Sequence, residues 1–88
     1  MAKGQRGASK EPVLQNMDDE QLRIAILVQL GGGAQKTEEE LMRDINHDKA
    51  GEGLKIKDAA ALQTGLGTLV TRGDIVPSGN KYKRVLRK

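Results

Sequence analysis

A single histidine, His47, and no cysteine leave this chain of 88 residues without the ligands of a zinc site and without a thiol nucleophile. A two-histidine site needs a partner that His47 lacks, and a cysteine-ligated metal needs thiolates. The carboxylate run Glu38-Glu39-Glu40 has the composition of an acid–base site. Thr37 stands directly before it, and Thr followed three residues later by Glu is the capping box that opens a helix. Capping accounts for the run more simply than chemistry does. Gly31-Gly32-Gly33 lacks the Lys-Ser/Thr sequel of a phosphate-binding loop. No nucleophile, base or metal constellation emerges, so the expectation is a protein that is not an enzyme, with no catalytic residues, no metal and no cofactor.

The cations carry more. Lys81, Lys83, Arg84, Arg87 and Lys88 place five positive charges in eight residues. Each Lys or Arg that neutralises a phosphate releases counterions, which adds affinity for a polyanion without reading its sequence. The same cations also solubilise an edge and block strand-to-strand association. A second group, Lys3, Arg6 and Lys10, is spaced among Gly, Ala and Ser. That spacing suits a flexible arm that tracks phosphates or a minor groove, and equally an inert tail.

Charge is unevenly distributed. Residues 1–16 carry three cations and one anion, residues 17–48 three cations and eight anions, and residues 49–88 nine cations and three anions. An acidic middle between basic ends polarises a surface and can orient it toward a polyanion. Tyr82 is the only aromatic residue, with no Trp and no Phe, which excludes the stacking platforms of single-strand binders. The longest apolar run, Ile24 to Val28, is far too short to span a membrane. The first twenty residues lack the apolar core of a signal peptide. The expected location is therefore intracellular, in the cytoplasm or with DNA in a nucleoid or nucleus, and not secreted.

The elements that must position these residues follow from periodicity. Residues 1–15 have none and read as a flexible basic tail; residues 16–88 read as one domain. A first helix begins near Asn16 or Asp18, with Leu22, Ile26 and Leu30 inward, and ends at Gly31-Gly32-Gly33. Ile24, Leu27 and Val28 spread apolar character around much of its circumference, the natural place for a homodimer contact. Thr37 opens a short second helix with Leu41, Met42 and Ile45 inward, fraying near Asn46-His47. Residues 48–56 form a Gly-containing loop anchored by Leu54 and Ile56.

Asp58 caps a third helix running to about Arg72 and stopped by Gly73. At roughly 100° per residue, Ala59, Leu62, Leu66, Leu69 and Val70 fall on its inner face. Lys57, Ala60, Thr64, Gly67, Thr68 and Thr71 fall on the opposite face, with Gln63 and Arg72 on its flanks. Gly65 and Gly67 each cost about 1 kcal/mol relative to Ala in a helix interior. Close backbone packing or close approach of a ligand would explain them. Asp74 to Pro77 reads as a short strand, Ser78-Gly79-Asn80 as a turn, and Lys81 to Val85 as a second strand with Tyr82 and Arg84 on one side and Lys81 and Lys83 on the other.

Three helices followed by a small hairpin resemble the winged-helix superfamily. Leu62, Leu66, Leu69, Gly73, Ile75, Gly79 and Tyr82 carry the resemblance. Residues 65–76, Gly-Leu-Gly-Thr-Leu-Val-Thr-Arg-Gly-Asp-Ile-Val, are also similar to the matching stretch of linker-histone globular domains. The acidic middle and short hairpin favour the superfamily over the histones. The resemblance implies an α+β fold, a three-helix winged-helix domain with a C-terminal β-hairpin wing. It implies a double-stranded DNA partner, and the role of a small transcriptional regulator or architectural factor. The third helix would enter the major groove with Lys57, Gln63, Thr64, Gly67, Thr68, Thr71 and Arg72. Ser78 and Asn80 at the hairpin tip, with Lys81, Lys83, Arg84 and Arg87, would contact the backbone. Against this stands a winged-helix module that docks on transcription or replication machinery through the acidic first and second helices.

Overall fold

The computed structural model describes residues 14–85. The arm cations Lys3, Arg6 and Lys10, and the terminal Arg87 and Lys88, lie outside the described residues. The elements run in the order β1 (Gln15–Asn16), α1 (Asp19–Gln29), a 3-10 turn (Gly31–Gly33), β2 (Gln35–Thr37), α2 (Glu38–Ala50), β3 (Leu54–Lys55), α3 (Ala59–Arg72), β4 (Ile75–Ser78) and β5 (Lys81–Arg84). The chain is a small α+β domain: three helices and an antiparallel hairpin, as the periodicities predict.

Every helix starts on a side chain that satisfies an otherwise orphaned backbone N–H. Asp18 caps α1: its carboxylate accepts from the Gln21 N–H at 2.7 Å, and Gln21 Oε1 accepts from the Asp18 N–H at 3.0 Å. Thr37 and Glu40 form the expected box at α2, at 3.1 Å and 2.8 Å. Asp58 Oδ1 accepts from the Ala61 N–H at 2.8 Å and starts α3. Gly73, at φ +81°, ends α3 in the left-handed region that a side chain rarely tolerates.

Several expectations change. The second helix does not fray at Asn46-His47; α2 continues to Ala50. Asn46 explains why the segment beyond it is held: its Oδ1 accepts from the Ile56 N–H at 2.8 Å, tying the last turns of α2 to the chain that follows. The loop expected over 48–56 therefore shrinks, and its end becomes β3, which pairs in parallel with β1. That pairing draws Gln15 out of the expected tail and places Met17 in the core. Ala59, assigned to the inner face of α3, is exposed. It sits in the first turn beside a shallow groove with Glu38, Met42 and Arg43, where a single methyl group fills little.

The core is a single cluster of Met17, Leu22, Ala25, Ile26, Leu30, Leu41, Ile45, Ile56, Leu62, Leu66, Leu69 and Ile75, with no buried polar side chain among the described residues. The α1–α3 crossing depends on Gly65. A Cβ there would lie 3.3 Å from Ile26 Cδ1 and 3.7 Å from Leu22 Cδ2, so the glycine lets the two helices approach. Packing is the reason for Gly65. Gly67, two residues on, faces open space.

The hairpin is wider than expected. β2 adds to it, giving an antiparallel sheet in the order β2–β5–β4. The basic strand β5 is therefore central. Pro77 lies on the edge strand β4, where its missing N–H costs no ladder bond.

Candidate nucleic-acid interface

Residues two apart on a strand share a face. Lys81 and Lys83 therefore project from the same side of β5, about 6.6 Å apart along the strand. The register places Thr37 and Ser78 on either side of Lys81, and Gln35 and Val76 on either side of Lys83. Directly opposed residues of an antiparallel sheet lie on one face. The result is a platform of two exposed ammonium groups framed by the hydroxyls of Thr37 and Ser78 and the amide of Gln35. The Thr37 hydroxyl accepts from the Glu40 N–H and is also bonded to the Glu40 carboxyl. Gly79, at φ +65°, makes the tight turn that carries Asn80, and both Ser78 and Asn80 are exposed beside the platform. Glu40, in the first turn of α2, lies close enough to the platform to feel the charge of Lys81. The Thr37 backbone N–H, and then the charge of Lys81, hold that carboxyl below its usual range.

Arg84 does not join the two lysines. It lies on the other face with Tyr82, and its Nη1 donates to the Leu27 carbonyl at 3.5 Å, a long bond to the last turn of α1. That turn has no basic residue of its own, so Arg84 supplies the cation its dipole favours. Tyr82 packs half-buried against the core.

The outward face of α3 is small and uncharged at its centre. Thr64, Gly67 and Thr71 are exposed and fall on one stripe, with Lys57 exposed just before the helix begins. Two of the residues expected here have partners inside the chain. The Thr68 hydroxyl donates back to the Thr64 carbonyl at 3.0 Å, and Thr68 is half-buried. Gln63, on the flank facing α2, donates from Nε2 to Glu38 Oε2 at 3.0 Å. Arg72 is exposed on the opposite flank, in a shallow groove with Arg23 and Asp74.

Sequence reasoning missed Glu38, Gln35 and Thr37 as neighbours of these residues. No local signal marks them: β2 reads Gln-Lys-Thr, polar throughout, and becomes a strand only because β5 offers it a ladder. Lys36, on the inner side of β2, secures that strand. Its Nζ donates to Gln29 Oε1 at 2.9 Å and to Asp44 Oδ2 at 2.8 Å, and Gln29 in turn donates to Asp48 at 2.7 Å. Lys36, and then Arg43, hold the Asp44 carboxyl below its usual range, while the Asp44 bond raises the Arg43 guanidinium further.

His47 lies exposed in the last turn of α2, where a cation suits the helix dipole. Among the described residues no three His, Cys, Asp or Glu side chains converge as a metal site would require. Among the described residues no helix is long and apolar enough to cross a membrane. Compared with protein-family models, curated proteins and solved structures, the chain matches none of them.

Proposed function

We propose that this chain is a winged-helix domain that binds double-stranded DNA, acting as a small transcriptional regulator or architectural factor. The observation that carries the reading is the Lys81–Lys83 pair on the outer face of the sheet, set between hydroxyl and amide groups that also bond phosphate oxygens. The three-stranded sheet around that hairpin fits a wing. The small uncharged stripe of Thr64, Gly67 and Thr71 suits a helix that lies close to base edges in a major groove, which admits an α-helix. Lys57 at one end and Arg72 on the flank would meet phosphates. The reading gives the chain no catalytic residue and no cofactor, and places it in the cell with DNA.

Fluorescence anisotropy with labelled duplex and single-stranded DNA of one sequence tests it. The expected result is duplex binding that weakens steeply as salt rises, with the duplex preferred. A chain that ignores the duplex even at low salt would overturn the reading. The acidic faces of α1 and α2 would then be its working surface, and a protein its partner.

A further inference from the structure

The bond from Gln63 Nε2 to Glu38 Oε2, at 3.0 Å, joins side chains 25 residues apart and ties the exposed flank of α3 to the first residue of α2. The residues around Gln63 on α3 are small. Ala59 and Ala60 lie one turn before it, Thr64 next to it and Gly67 one turn after, all exposed. At about 100° per residue Gly67 is about 40° around the helix from Gln63. A Cβ at Gly67 meets nothing within 4 Å. Gln63 therefore stands clear of its helix, with open space on the side of the Thr64, Gly67 and Thr71 stripe.

Glu38 decides which end of the Gln63 amide is free. A carboxamide has two N–H donors and one carbonyl acceptor, whereas an ionised carboxylate only accepts. Turning the amide over would set its Oε1 against the Glu38 oxygens, acceptor against acceptor. Arg43, the cation in the shallow groove beside Glu38, is bonded to Asp44 at 3.0 Å. What Gln63 has left to offer is one N–H and one C=O, side by side. That pair complements one base edge. In the major groove adenine shows an N7 acceptor beside an N6 donor, whereas guanine shows two acceptors, N7 and O6. Thymine and cytosine each offer a single polar group there, so neither takes both bonds. We propose that Glu38 is a positioning residue that holds the Gln63 amide in the orientation that reads adenine in duplex DNA. This role depends on the duplex-binding reading and names the base selected.

Selection of the full chain on duplexes with a randomised window, then anisotropy on the selected duplex and its single-base variants, tests the proposal. The parent should select an adenine at one position and prefer it over guanine by roughly 5- to 150-fold, the worth of a good bidentate pair. Gln63→Ala should lose that preference and keep those at other positions. Glu38→Ala should shrink it several-fold; Thr37 and Glu40 still cap α2, so its melting temperature should stay near the parent's. Added to Gln63→Ala, Glu38→Ala should change the preference no further. In NMR spectra of the free chain, Glu38→Ala should shift the side-chain amide protons of Gln63, a reading that needs no DNA. A selected site without an adenine that depends on Gln63 overturns the proposal and leaves duplex binding in place. So does a Glu38→Ala chain that keeps the full preference, loses binding to every sequence alike, or leaves the Gln63 amide resonances unmoved. An effect of Glu38→Ala that persists without Gln63 also overturns it. A chain that binds no duplex overturns both this role and the reading beneath it.

Discussion

Gly65 and Gly67 stand two residues apart in one helix, and replacing each with Ala separates packing from contact. The intrinsic gain is the same at both positions, about 1 kcal/mol of helix propensity. At Gly67 a Cβ meets nothing within 4 Å, so the whole gain should appear in the stability of the fold. For a domain of 60–100 residues, 1 kcal/mol raises the melting temperature by roughly 4–8 °C. At Gly65 the new methyl group would sit 3.3 Å from Ile26 Cδ1, and Ile26 is fully buried. Its side chain cannot withdraw without displacing other core residues, and overpacking of this kind costs about 1–3 kcal/mol. Gly65→Ala should therefore gain nothing or lose up to about 2 kcal/mol, the difference of those two figures. Thermal melts of both variants, alongside duplex affinity, complete the test. If α3 presses against bases at Gly67, Gly67→Ala should stabilise the fold and weaken binding or sequence preference. A more stable Gly67→Ala with unchanged binding would refute contact there. A Gly65→Ala as stable as Gly67→Ala would refute the close α1–α3 crossing.

Leu66 is 2% exposed in the core, and Leu66→Ala should cost about 2–5 kcal/mol by denaturant unfolding; a loss below about 0.5 kcal/mol would show the helix phase to be wrong. Asn46→Ala removes the acceptor of the Ile56 N–H, next to a side chain that is 4% exposed, and should cost about 1–3 kcal/mol, whereas an unchanged midpoint would mean that water replaces the bond. Asp44 and Glu40 both have depressed carboxyl pKa values, against usual values of 3.8 and 4.5. Depression in the folded state means their stabilisation is whole above the unfolded values and is lost as the pH falls through the folded ones. Melting temperature should accordingly hold above about pH 5 and drop below about pH 4. Lys36→Met should flatten that drop, and an identical acid profile for the variant would remove Lys36 as the cause.

What the sequence made legible was local. The Thr37–Glu40 box, the Asp58 cap and the Gly73 stop each involve residues within a few positions, and the leucines of α3 repeat at the helical period. What it hid was tertiary. α2 outruns its own poor helix formers at Asn46-His47 because Asn46 is engaged by Ile56, ten residues away. β1 and β3 are two residues each and exist through their pairing with one another. β2 has no apolar alternation and is drawn into the sheet by β5. The same distinction runs through the candidate interface. Alternation alone placed Lys81 and Lys83 on one side and Arg84 on the other, and the structure keeps that division. That Arg84 would reach the end of α1, and Gln63 the carboxylate of Glu38, depended on contacts 57 and 25 residues apart.

The central claim is that Lys81 and Lys83 anchor the domain to phosphates. The most direct measurement is the slope of log affinity against log salt for the parent and for Lys81→Ala/Lys83→Ala on the same duplex. Each phosphate contact contributes about 0.9 to that slope, so the double variant should lose about 1.8 and bind every sequence more weakly. Equal slopes and equal affinity near physiological salt would contradict the account, because the two lysines would then be a solvated edge and nothing more.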